Sequence, residues 1–309
     1  MERTFVTNNY LMNKINEIGK YILNDEEAPE DVFISFIKEL GVSNLLAPGI
    51  VDDEAINFEV LTSDDESVNA LPVFSDDDAF IDYYGEDSDL EAIANDIRVY
   101  IELMGESEID GLVINLGNLE FYLEKEVLEN LPLNPVIEIK DDFEGYGPDQ
   151  LQNIAQNATN ESLISFMNEG DNHFEALMLE LQKATLLDAV VSEEDLSQHA
   201  ENGIISLDET GTLPLCTTGD DDVQLGVLFT SPDKIRNAIE EDSELNYYYQ
   251  IALLDDFIEF ILKSDMDGII INPSEEDYVI GRDELLEAYG GSTYNNPRFK
   301  RAIDYAFIL

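Results

Sequence analysis

Two stretches of this 309-residue chain carry residue types at a spacing that could do chemistry. Asp110-Gly111-Leu112-Val113-Ile114-Asn115 and Asp267-Gly268-Ile269-Ile270-Ile271-Asn272 each set a carboxylate and a carboxamide at the two ends of a short apolar run. In an open α/β sheet, ligands are held at the ends of central strands. Asp110, Gly111, Asn115, Asp267, Gly268 and Asn272 are therefore candidate ligand or partner contacts. The same residues admit a structural reading. Glycine supplies a positive φ where the strand begins, aspartate closes an Asx turn, and asparagine caps the strand's exit. Asn115-Leu116 departs from Asn272-Pro273, so a ligand shared by both stretches would not be held by the proline.

Other chemistries find less support. A nucleophile–base pair would need Cys216 near His173 or His199, but Leu213-Pro214-Leu215-Cys216 is an apolar setting in which cysteine behaves as a small hydrophobe. The two histidines stand 26 positions apart and match no zinc-ligand spacing. No acidic cluster follows the calcium-loop pattern, and there is no Walker loop, G-x-G-x-x-G or G-x-S-x-G. Carboxylates are so abundant that any chosen catalytic pair is uninformative. The sequence points to no catalytic residue, no metal and no cofactor.

Aspartate and glutamate number 69 against 15 lysines and arginines, a formal charge of −54. This disfavours direct binding to nucleic acid or anionic membrane, which needs basic side chains. Three readings of the charge stay open: adaptation to a salty cytoplasm, attraction to a basic partner including mimicry of nucleic acid, and divalent-cation binding. The acids fall in short clusters such as Asp52-Asp53-Glu54, Asp64-Asp65-Glu66, Asp76-Asp77-Asp78 and Asp220-Asp221-Asp222, which suit loops and helix starts. With 44% hydrophobic residues the chain has material for folded cores despite its charge. Met1–Tyr10 lacks a basic stretch followed by an apolar core, and no stretch reaches the length of a membrane span. A cytoplasmic location is expected.

The elements that would position the two stretches also occur twice. Phe33, Phe36, Ile37 and Leu40 match Phe174, Leu177, Met178 and Leu181 at an offset of 141; Phe74 matches Phe229 at 155, and Asp110 matches Asp267 at 157. The second half thus gains 14 residues before its Phe229 strand and two more before its Asp-Gly, insertions expected in surface loops. Each half reads as a helix (near Pro29–Leu40 in the first, with Pro29 in the first turn), then short strands near Asn57–Leu61 and Leu71–Phe74. A capping box follows at Ser75-x-x-Asp78 or Thr230-x-x-Asp233. A long amphipathic helix over Asp89–Met104, matched by one from Leu245 to Phe260, leads to the central strand. A return strand and a last short helix starting near Lys125 or Arg282 complete each half. Pro132–Pro148 reads as a linker in which Val136–Ile139 could add an edge strand. After Gly291, Phe299, Ala302, Ile303, Ala306 and Phe307 predict a C-terminal helix beside the basic cluster Arg298, Lys300 and Arg301.

At Leu71-Pro72-Val73-Phe74-Ser75-Asp76 with Asp110–Asn115, and at Val227–Ser231 with Asp267–Pro273, the sequence resembles the SseB N-terminal-domain family, over about residues 30–131 and 174–290. The first half lacks the proline after its asparagine, and the second lacks Leu-Pro before its phenylalanine. The resemblance implies the fold and a non-catalytic role; it brings no enzymatic activity or agreed ligand.

The expected architecture is α/β (α+β): two tandem copies of a small helix-flanked mixed-sheet domain, residues 1–140 and 141–291, with a helical tail over 292–309. Internal duplication makes packing of the copies as a pseudo-dimer plausible. The expected function is a non-catalytic intracellular interaction or regulatory protein with an unidentified protein partner. The alternatives are an acidic nucleic-acid-mimicking binder of a basic protein and a cation-dependent carboxylate enzyme.

Overall fold

A computed structural model describes residues 6–24, 26–52, 56–63, 67–86, 88–117, 120–130, 143, 145–169, 174–181, 183–192, 194–207, 213–214, 216–218, 223–239, 245–289 and 305–309. The chain is α/β, and its described residues divide into two units, one formed mainly by residues up to 130 and the other mainly by those from 143 onward.

The first unit runs through α1 (Asn9–Leu23), α2 (Glu30–Val42), β1 (Asn44–Val51), β2 (Ile56–Phe58), β3 (Leu61–Thr62), β4 (Asn69–Val73), α3 (Asp77–Tyr84), β5 (Glu91–Asp96), α4 (Ile97–Glu106), β6 (Gly111–Ile114), β7 (Phe121–Glu124) and α5 (Lys125–Glu129). In α2 the three- and four-residue spacing of Phe36, Ile37 and Leu40 buries one face. Phe33, expected on that face, stays 39% exposed, and Pro29 is the N-cap rather than part of the first turn. One sheet has the order β2-β1-β5, all antiparallel. The other has the order β3-β4-β6-β7, with β4 and β6 parallel and joined by a crossover through α3, β5 and α4. Leu11, Ile15, Phe36, Leu40, Leu45, Leu71, Val73, Tyr100, Leu112 and Ile114 share one core.

The second unit runs through α6 (Pro148–Gln156), α7 (Glu161–Asn168), α8 (Phe174–Leu181), β8 (Leu187–Ser192), a 3-10 turn (Leu196–His199), β9 (Ile204–Ser206), β10 (Leu213–Pro214), β11 (Cys216–Thr218), β12 (Gln224–Leu228), α9 (Pro232–Ala238), β13 (Asn246–Ile251), α10 (Leu254–Lys263), β14 (Gly268–Ile271), β15 (Tyr278–Gly281), α11 (Arg282–Tyr289) and β16 (Tyr305–Ile308). Its four-stranded sheet, β11-β12-β14-β15, has the pairing senses of β3-β4-β6-β7. Its other sheet is larger, β10-β8-β13-β16-β9. Leu46 bridges Phe74 in the first unit as Leu187 bridges Phe229 in the second.

Several expectations are corrected. The runs from Asp89 and from Leu245 are not single helices: each is a strand (β5, β13) followed directly by a helix (α4, α10). The strands pair along β1 and β8, and Tyr247-Tyr248-Tyr249 favours extended backbone. A short half-buried strand that opens into an amphipathic helix repeats its apolar residues often enough to mimic one helical stripe. In the first unit Asp96 marks the switch, accepting from the Arg98 amide as the N-cap of α4.

The 14-residue insertion is not only a loop. It lies in the segment that carries the 3-10 turn and β9, and Leu196, Ile205 and Leu207 there are buried. The tail is not helical where it is described. Tyr305–Ile308 is a strand between β13 and β9, because two neighbouring strands satisfy its backbone and Phe307 packs on Tyr249 with ring centroids 5.5 Å apart. Arg298, Lys300, Arg301, Phe299, Ala302 and Ile303 lie outside the described residues, as do Val136–Ile139, His173 and the clusters at 64–66 and 220–222.

Candidate functional site

The two Asp-Gly-(apolar)-Asn stretches form the central strands β6 and β14, and their polar ends bind the neighbouring parallel strand. At the start of β6 the Asn69 amide donates to Asp110 Oδ2 at 2.8 Å while the Asp110 amide donates to the Asn69 carbonyl at 2.7 Å. At the start of β14 the Gln224 amide donates to Asp267 Oδ2 at 2.7 Å and the Asp267 amide returns to the Gln224 carbonyl at 2.8 Å. The expected local Asx turn is thus replaced by a bond across the sheet. The parallel register brings Ala70 opposite Gly111 and Leu225 opposite Gly268, so the preceding residue's amide meets the carboxylate.

The glycines are required by close approach. A Cβ at Gly111 would stand 2.3 Å from the Leu123 carbonyl oxygen, and one at Gly268 would stand 2.2 Å from that of Ile280. The positive φ expected at both is found only at Gly268, at +153°. What the two share is a return strand, β7 or β15, paired alongside so that one of its carbonyl oxygens presses on the glycine.

At the strand exits, Asn115 and Asn272 both adopt φ of 52°, the left-handed conformation that asparagine tolerates best after glycine. Both are buried. Asn115 Oδ1 accepts from the Ser75 amide at 2.9 Å, and Asn272 Oδ1 accepts from the Thr230 amide at 2.9 Å. Each Nδ2 donates to the neighbouring hydroxyl, Ser75 Oγ at 3.0 Å or Thr230 Oγ1 at 2.8 Å. Ser75 and Thr230 therefore do not cap the helices, as the capping-box reading expects. The N-caps are Asp76, accepting from Ala79, and Ser231, accepting from Lys234.

Two further pairs belong to the same arrangement. Asn8 Nδ2 donates to the Asn44 and Ser75 carbonyls, and Asn160 Nδ2 donates to the Thr185 and Thr230 carbonyls, at equivalent places ahead of α1 and α7. Lys125 Nζ donates to the Met104 carbonyl at the end of α4. Arg282, 6% exposed, donates to the carbonyls of Ile261, Leu262 and Met266 at the end of α10. Sequence reading missed both. The signal available was Asn8-Asn9 against Asn160-Glu161, each just ahead of matching apolar residues (Leu11 and Leu163), and the basic residue at the 157 offset.

The second unit also holds a cleft of about 340 Å³, lined by Gln156, Ala158, Thr159, Ser231, Pro232, Asp233, Arg236, Tyr249 and Ile308. Arg236 NH1 donates to Asp233 Oδ1 at 2.6 Å on the rim. Burial pushes the Tyr249 phenol above its usual range, against the lowering effects of the Arg236 charge and the Gln156 side chain. Among the described residues no group of three or more His, Cys, Asp or Glu is placed to hold a metal ion. No helix among them is long and apolar enough to cross a membrane.

Comparison with protein families, with curated proteins and with solved structures finds no match to this chain.

Proposed function

We propose that the chain is a non-catalytic interaction or regulatory protein of the SseB-like type, built as two related α/β domains, working in the cytoplasm through a protein partner. The observation that supports this reading is the use made of the six candidate site residues. The aspartates and asparagines are committed to joining β4 to β6 and β12 to β14, and the glycines to the close approach of β7 and β15, at both ends of the central strand in each unit. A motif repeated for fold integrity carries no chemistry of its own, so its recurrence speaks for a scaffold. The surface this scaffold presents is strongly acidic, and a protein partner would meet it through complementary charge and apolar contacts.

The test is a tagged pull-down from the native cytoplasm at low and at near-cytoplasmic salt, read by mass spectrometry. A stoichiometric partner retained at the higher salt is the expected outcome. Turnover of any substrate in a broad hydrolase screen, abolished by one point change, would overturn the reading. Capture of basic proteins alone, lost as salt rises and displaced by DNA, would replace it with nucleic-acid mimicry.

A further inference from the structure

We infer that the cleft of the second unit binds a small organic anion through a carboxylate or phosphate group held by Arg236. The inference goes beyond the scaffold reading and stands or falls separately from it.

The first ground is what occupies the matching place in the other unit. There Val6 and Asp77 close the space: the Val6 amide donates to Asp77 Oδ2 at 2.8 Å and the Asp77 amide donates to the Val6 carbonyl. Phe80 and Tyr84 pack beside them, 5.1 Å apart between ring centroids, and Val6, Phe74 and Phe80 are buried together. The second unit has Ala158 for Val6, Pro232 for Asp77, Ile235 for Phe80 and Ile239 for Tyr84. The exchanges at Ala158, Ile235 and Ile239 remove volume, and Pro232 removes a buried carboxylate.

The second ground is what the second unit puts there instead. Arg236 stands where the first unit has Ile81, and Tyr249 where it has Ala92. An isoleucine is thus exchanged for a guanidinium and an alanine for a phenol beside the space that has opened. In a chain of 69 acids and 15 bases, an arginine facing a cleft together with a glutamine, a threonine, a serine and a tyrosine is a concentration of hydrogen-bond donors. A volume of about 340 Å³ suits a small metabolite.

Among the described residues Asp233 is the only acid lining the cleft, and it competes for Arg236 rather than blocking it. The two side chains are 86% and 51% exposed, so their pairing is weak and open to exchange. A planar oxyanion would take the guanidinium's paired donors, leaving Asp233 to turn to water.

The test titrates the full chain with lactate and, separately, inorganic phosphate, at constant ionic strength, following backbone amide shifts by NMR with calorimetry alongside. Saturable shifts at Ser231–Arg236 and Tyr249 are expected with at least one probe; a lactate-only response assigns a carboxylate ligand and a phosphate-only response a phosphorylated one. Arg236→Ile, the residue of the other unit, should weaken binding about tenfold or more. Asp233→Asn should tighten it about threefold by removing the competitor. Both changes are at a partly exposed rim, and an unchanged amide spectrum elsewhere verifies folding. No saturable response to either probe, shifts mapping away from the cleft, or binding undiminished in Arg236→Ile would overturn the inference.

Discussion

The exits of the two central strands share one solution and differ in one neighbour. In both units a left-handed asparagine accepts from the backbone amide across the sheet and donates to the hydroxyl beside it. The second proton of the carboxamide then goes different ways. Asn115 Nδ2 lies 3.4 Å from the Met12 thioether of α1. Asn272 Nδ2 donates to Glu276 Oε2 at 2.8 Å, and Glu276 and Glu275 both bind Lys234 of α9. At these positions the first unit has Ala79 for Lys234 and Leu119 for Glu276. The backbone's demand is fixed by the parallel pairing, so the asparagine is the same in both. The last proton needs only some acceptor, so the acceptor differs, a thioether in one unit and a carboxylate in the other.

The largest effect should come from what the units share. Gly111→Ala and Gly268→Ala each drive a Cβ into a backbone oxygen that cannot rotate away, and each should cost its own unit about 3 kcal/mol. Denaturation followed by unit-specific amide exchange would check this; equal protection in the variants would mean the return strand can shift.

Next come the helix-end cations, where the units should separate. Arg282→Met removes a buried guanidinium from three carbonyls and should cost about 2 kcal/mol, whereas Lys125→Met takes an ammonium from the Met104 carbonyl and should cost about 1 kcal/mol. Equal losses would show that the extra bonds of the arginine add nothing.

A smaller difference is expected from Lys234→Met. The lysine is 18% exposed and its partner Glu276 12%, so the second unit should lose about 1 kcal/mol and the first none.

The smallest is a pH effect confined to the second unit. Bonds from Asn237 and Lys234 hold the Glu275 carboxyl below its usual 4.5. Burial acts against the Lys234 ammonium, but its bonds to Glu275 and Glu276 more than offset this and raise its pKa. A carboxylate lowered in the folded state adds stability above 4.5 that is lost as pH falls through its folded value. Protection of the Asn272 amide, corrected for intrinsic exchange, should therefore drop more than that of Asn115 on acidification. Glu275→Gln should erase the difference, and its persistence in that variant would assign the effect to another group.

How far all this is legible in the sequence varies by element. The central strands were readable because an apolar run between Asp-Gly and Asn is short, punctuated and repeated. The structural use of those ends was also foreseen in kind, but with local partners. Asp110 and Asp267 instead bond to residues 41 and 43 positions away, and no turn rule reports a partner set by strand register. The helix read over Asp89–Met104 failed because periodicity alone does not tell a strand that opens into a helix from one continuous helix. The C-terminal strand was hidden for a similar reason: Ala306 and Phe307 fit a helical face, and only the open edges of β13 and β9 favour extension. The cleft left no motif, since its lining comes from four separate stretches of the chain.

By itself the sequence determined that the chain is α/β, which runs form the central strands, and how acidic the chain is. These follow from local backbone preference, apolar spacing and charge count, which need no knowledge of neighbours. The tertiary structure alone decided which amide each aspartate and asparagine serves, that the last residues become a strand, and that one unit fills with aromatic rings a space the other leaves open beside an arginine. Those outcomes depend on distances between segments far apart in the chain, and such distances exist only once the sheets have paired.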